Sequence, residues 1–125
     1  MGRSIVSKEV LMNAVVVAKS DTHYSNSRKF HDCDGTATLK IICAGASSNI
    51  TVTQQCSLDN VTWYDPINDA GAIGAVEDAI TVTLGRYLSF TPVLCDWIRF
   101  KVTQGDIGGT NTATVTLELS YRVEV

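Results

Sequence analysis

Apolar and polar residues alternate most strictly over residues 111–125. Ala113, Val115, Leu117, Leu119, Tyr121, Val123 and Val125 are apolar, and Thr112, Thr114, Thr116, Glu118, Ser120, Arg122 and Glu124 lie between them. A period of two belongs to a β-strand with one face in a core and the other in water. Ordinary strands run about five or six residues. A strand this long is therefore expected to bend across two sheets or to pair in part with a neighbouring subunit. Its apolar face needs a second layer, which predicts a sandwich or barrel built around it.

The same period recurs upstream. Strands are predicted over residues 10–18, 29–31, 36–44, 50–58, 61–64, 79–84, 87–91 and 97–104. Ala37, Leu39, Ile41 and Cys43 share one inward face, Ile50, Val52 and Cys56 share another, and Thr51, Thr53 and Gln55 point outward. Cys43 and Cys56 are therefore both expected in the core. In the penultimate strand Ile98, Phe100 and Val102 face inward, while Trp97, Arg99, Lys101 and Thr103 face outward. Residues 19–28 read as a polar loop, 32–35 as a turn, 65–78 as a second long loop, and Gly85-Arg86 as a turn. Asp59-Asn60 is expected to form a two-residue hairpin turn, since both residue types tolerate positive φ. Seven to nine strands at this spacing predict an all-β antiparallel sandwich, jelly-roll or immunoglobulin-like in topology. Residues 29–125 make the sandwich, and residues 1–28 are either an N-terminal arm or a first strand plus loop.

At 125 residues the chain can build a single core without disulfides. Hydrophobic residues make up 45% and charged ones only 18%, which is lean on charge for a free monomer. The net charge of −3 and a pI near 5.2 argue against nucleic acid as a partner. The charge is uneven: residues 1–40 hold six Lys/Arg against four Asp/Glu, and the remainder four against nine. No apolar run approaches the roughly 20 residues of a membrane span. Arg3 and Lys8 precede an apolar stretch, but Glu9 and Asn13 interrupt it, so a cleaved leader is not expected. Synthesis in a reducing compartment then favours free thiols at Cys33, Cys43, Cys56 and Cys95. A Cys43–Cys56 bridge would need their two strands to pair.

Catalytic chemistry finds no foothold. His23 and His31 sit in or beside polar loops, and His31-x-Cys33 has no second pair of ligands at metal spacing. Asp32-x-Asp34-Gly35 opens like a calcium loop, but the twelfth position is Cys43 where a bidentate Glu is needed. No phosphate loop, nucleophile elbow or carboxylate pair stands out. No catalytic, cofactor-binding or metal residue is assigned, and an enzyme is not expected.

Ser57-Leu58-Asp59-Asn60-Val61-Thr62-Trp63 resembles the S-x-D-G-x-x-W hairpins of carbohydrate-binding β-sandwiches and phage virion proteins. Asp and Asn fold the turn, and the Trp packs across it to pin the register. Trp63 and the outward Trp97 could alternatively form a glycan platform. From about Gly35 onward this hairpin, the Ala/Gly loop, Gly85-Arg86-Tyr87 and the Trp97–Gln104 strand together resemble small β-sandwich virion proteins of tailed bacteriophages. The resemblance implies a structural virion protein of the capsid decoration or cement type, assembled in the host cytoplasm. It implies a homo-oligomer, often a trimer, bound to a major capsid protein or another virion protein, with no nucleic acid and no membrane. The other class it leaves open is a carbohydrate-binding module of a fibre or cell-surface adhesin.

The basic N-terminal stretch supplies a candidate interface of Arg3, Lys8, Leu11, Val15 and Val17, adding main-chain pairing to a partner's sheet. Trp97 and Arg99 join it as outward candidates. Thr112, Thr114 and Thr116 carry no Lys or Pro guard, so an edge position for the last strand would call for an oligomer to cover it. Ellman titration under denaturant should find four free thiols. Cys43→Ser should destabilise by about 1–3 kcal/mol, because it buries a hydroxyl in place of sulfur. Fewer thiols would mean a bridge.

Overall fold

A computed structural model of the chain describes residues 4–18, 21–30, 33–45, 50–68, 71–72, 77–80, 84–93, 95–104 and 112–124. The strands are β1 (Ser4–Ala18), β2 (Thr22–Tyr24), β3 (Arg28–Lys29), β4 (Cys33–Gly45), β5 (Ile50–Ser57), β6 (Ile67–Asn68), β7 (Gly71–Ala72), β8 (Glu77–Ile80), β9 (Leu84–Phe90), β10 (Trp97–Gln104) and β11 (Thr112–Glu124). Among the described residues there is no helix. Sheet I has the order β1-β11-β4-β9, and sheet II runs β2-β10-β5-β8 with β3 beside β2 on β10. A small β6-β7 pair stands apart from both.

The pairing is nested. β1 pairs with β11, β2 and β3 with β10, β4 with β9, and β5 with β8, all antiparallel. The first half of the chain thus runs against the second as one ribbon. Rolling that ribbon brings β4 onto β11 and β5 onto β10, closing the two sheets. This is jelly-roll topology, one of the two alternatives the strand spacing left open.

One core lies between the sheets. Leu39, Ile41, Val115, Leu117 and Leu119 come from sheet I, and Ile50, Val52, Ile98, Phe100 and Val102 from sheet II. Burying each such side chain stabilises by about 1.5–3 kcal/mol relative to leaving it in water. Phe30 meets Tyr121 edge-on at 4.9 Å, and Phe90 meets Phe100 at 6.1 Å, linking the sheets by aromatic contacts.

Several elements depart from the sequence expectations. β11 neither bends across sheets nor reaches for another subunit: β1 and β4 flank it on both sides. It is central, so its threonines need no guard against edge pairing. β1 starts at Ser4 because β11 offers paired backbone as far as Glu124. It belongs to the chain's own sheet, and two register shifts between Val10 and Val15 disturb its alternation. The shifts turn both Leu11 and Met12 inward and put Ala14 at φ 50, a left-handed value that costs a non-glycine residue about 1–2 kcal/mol.

The segment read as the loop 19–28 contains β2, which pairs with Lys101–Thr103 although its short polar sequence carries no alternation. β4 begins at Cys33, inside the expected turn, with four residues of β4 set against two of β11 at that end. Gly85 and Arg86 lie within β9 and oppose Ile42 and Ile41. The long loop 65–78 holds β6, β7 and the start of β8. Residues 61–64 form only a single bridge, Cys56 to Tyr64. Asp59 Oδ1 takes the N–H groups of Val61 and Thr62 and so removes them from any ladder.

Cys43, Cys56 and Cys95 are free thiols. Cys43 lies on sheet I and Cys56 on sheet II, so their strands do not pair. Cys43 is buried, which raises its thiol pKa, while Cys56 is only partly buried. The neighbouring Cys95 thiol shifts the Cys56 pKa down, and Cys56 together with burial shifts that of Cys95 up. The side chains at 33–35 lie outside the described residues.

Gln54 ties the approach to β10 into the core. Its Nε2 donates to the Val93 carbonyl at 2.8 Å, and its Oε1 accepts from the Val93 N–H at 3.1 Å. Gln54→Leu leaves the part-buried Val93 N–H without a partner, while the Val93 carbonyl keeps its contact with Cys56 Sγ at 4.0 Å. Chemical denaturation should show a loss of about 1–3 kcal/mol for the orphaned N–H. A loss below about 0.5 kcal/mol would mean that water replaces the amide.

Candidate interaction surface

The outward residues of β10 meet those of its neighbours on the exposed face of sheet II. Arg99 opposes Gln55, Lys101 opposes both Thr53 and Tyr24, and Trp97 opposes Ser57 and Lys29. The Arg99 guanidinium lies 4.0 Å from the Tyr24 ring centre and 4.5 Å from that of Trp63. Its Nε donates to Gln55 Oε1 at 2.8 Å. Gln55 Nε2 donates to Asp65 Oδ1 at 3.1 Å, and Asp65 Oδ2 lies 3.7 Å from Lys101 Nζ. Partial burial lowers the Arg99 pKa, yet it remains a cation at any physiological pH.

The turn after β5 puts Trp63 there. Ser57 Oγ accepts the N–H groups of Asp59 and Asn60, and its hydroxyl donates to Asp59 Oδ1. Asn60 takes φ 62 but Asp59 keeps a negative φ, so the expected two-residue hairpin turn with a returning strand does not form. The chain then folds back over β5. Gln55, an outward position, is buried and bonded to Asp65 and Arg99 instead of solvated.

A second cation–aromatic contact places Lys29 Nζ 5.9 Å from the Trp97 ring centre. Sheet I presents a different outer face. Val6, Val10, Val16, Ile42 and Tyr87 are exposed there, with Lys40 Nζ 5.6 Å from the Tyr87 ring. An open cavity of about 500 Å³ on this side is lined by Val6, Thr36, Thr38, Ser120, Tyr121 and Arg122.

The proposed site residues separate accordingly. Trp63 and Arg99 come together, and Trp97 lies on the same face two residues along β10. Leu11 and Val17 are 1% and 0% exposed, so both face the core and neither can bind a partner as the N-terminal interface required. Val15 is partly buried against that core. Lys8 is exposed on β1, on the far side of the sandwich from Arg99. Arg3 lies outside the described residues. Tyr24 was missed because a three-residue polar strand gives no periodic signal.

No protein-family model matches the sequence, and no curated protein matches it. Solved structures match in fold. A chain from the structure of the Gx strain of infectious bursal disease virus superposes with a TM-score of 0.64 at 10% identity, covering 97% of this chain and 32% of that one. VP2 of infectious bursal disease virus, in a subviral particle, gives 0.63 at 10% identity, covering 97% and 33%. The SPBc2 prophage-derived protein YomS gives 0.50 at 12% identity, covering 94% and 96%. The chain thus spans about a third of the length of the virus chains it matches. At such identities the likeness is one of fold.

Asp59 yields a test of the turn. Backbone N–H groups of Thr62 and Val61, then the Ser57 hydroxyl, hold its carboxyl below the ordinary 3.8. A folded-state pKa below the unfolded one means stability present above the ordinary value and lost as pH falls through the folded one. NMR titration should place the Asp59 midpoint below 3.8, and Asp59→Asn should flatten the acid limb of the stability curve. A midpoint at or above that value would refute the capping geometry.

Proposed function

We propose that this chain is a structural protein of a virus particle, of the decoration or cement type found on tailed-phage capsids. The observation that carries this reading is the fold. Nearly the whole chain, 97% of it, superposes at TM-score 0.64 on a chain from a virus structure. Jelly rolls are a recurrent solution for capsid proteins. A prophage-derived protein of nearly matching extent shares the sandwich at TM-score 0.50. The role is mechanical: surface buried against shell and sister subunits stabilises the assembly, and no catalytic group is needed. Docking through an inserted N-terminal arm gives way to docking through the outer faces of the sheets, because β1 is engaged by β11.

Carbohydrate binding is the second reading, favoured by the half-exposed Trp63 beside Tyr24 and Arg99. It is weakened by the same contacts, since one ring face of Trp63 already carries a guanidinium.

Light scattering on the isolated protein should give a mass near three times 13.5 kDa. Cross-linking mass spectrometry on the native particle should join it to a shell protein. A stable monomer with no link to the shell sinks the virion reading. Saturable binding to a neutral oligosaccharide, abolished by Trp63→Ala, would favour the second.

A further inference from the structure

The Arg99 guanidinium is held by two aromatic rings and one amide. Tyr24 comes from the strand on one flank of β10 and Trp63 from beyond the strand on the other, and both rings lie within 4.5 Å of its central carbon. Gln55 engages Nε and leaves the two terminal nitrogens, the fork that matches a carboxylate. The nearby acid, Asp65, is already committed to Gln55 and Lys101. Among the described residues no carboxylate pairs with Arg99. Its side chain is ordered before any ligand arrives, so the ordering cost of binding is already met.

A second cation lies along the same face. Lys29 sits over Trp97, and residues 97 and 99 are roughly 7 Å apart at strand spacing. Asp96, beside Trp97, is the exposed acid that borders this end. We propose that the Tyr24–Arg99–Trp63 stack is a preformed carboxylate-binding site. Its ligand is an extended acidic segment of a partner protein, with carboxylates on alternate residues. One meets the Arg99 fork, and the next lies near the Lys29 ammonium. A sugar ring suits the site less well, because a ring face it would stack on is occupied at both Trp63 and Trp97 by a cation. The site rests on the geometry of this one face and goes beyond the virion role.

A hexaglutamate peptide is a direct probe. Titrated into the 15N-labelled full chain at low salt, it should shift the Arg99 Nε–H resonance saturably and change Trp63 fluorescence. Raising the salt should weaken binding. Arg99→Lys keeps the charge but loses the fork, and should weaken binding about tenfold. Arg122→Gln, on the outer face of sheet I, should leave it unchanged. The Nε–H shift is read in the unaltered protein, so it decides the matter even if Arg99→Lys unfolds. Three results would each overturn the proposal: no shift at millimolar peptide, equal affinity for folded Arg99→Lys, or a shift with digalacturonate but none with the peptide.

Discussion

Every layer of this sandwich depends on β11 being paired on both sides. β1 and β4 take its two edges, and their registers run almost its full length. That double pairing explains why the alternation of residues 113–121 is so regular: one face meets the core and the other meets water, with no edge to defend. The hazard of an open edge passes to β1. Its bulges and the left-handed Ala14 break the flat strand there, and bulges of this kind discourage pairing with another chain. Ala14 N–H also turns to Thr116 Oγ1 instead of a carbonyl.

The open corner between the sheets is closed by backbone and side-chain bonds. Asn26 N–H donates to the Leu11 carbonyl, and Arg28 reaches Ser7, Glu9 and the Tyr121 hydroxyl. Among the described residues, Arg28, Lys29 and Lys40 therefore do not form one patch. Arg28 is spent on this seam, Lys29 lies over Trp97, and Lys40 lies over Tyr87 on the opposite face. Charges counted along the sequence do not show this, because consecutive strands send their basic residues to different surfaces.

What was legible in the sequence was whatever repeats with period two against a fully buried neighbour. β10 and β11 qualify, and Ile98, Phe100, Val102 and the apolar residues from Ala113 to Tyr121 are buried as read. In β5, Ile50 and Val52 are buried but Cys56 only partly so. β2 and the β6-β7 pair did not qualify, being short and polar or side-chain poor. β1 was half legible, since its register shifts place Leu11 and Met12 inward in succession. At the surface, Trp63 and Arg99 could be picked out as an outward aromatic and an outward cation. Their union with Tyr24 could not, because it depends on which strand flanks β10 and on the turn at Asp59 folding back over Gln55. Those are tertiary facts, invisible to local pattern.

The nested ribbon also sets the order in which this molecule can come into being. Ser4 faces Glu124 across sheet I, so its outermost pairing joins residues separated by nearly the whole described sequence. Closing so long a loop carries an entropy cost before any contact compensates it. Chains dominated by such non-local pairings fold slowly, on scales of about milliseconds to seconds. During synthesis β1 and one edge of β4 stay unpaired until β11 is made. Until that pairing is made, open strand edges make association with other chains a competitor of folding.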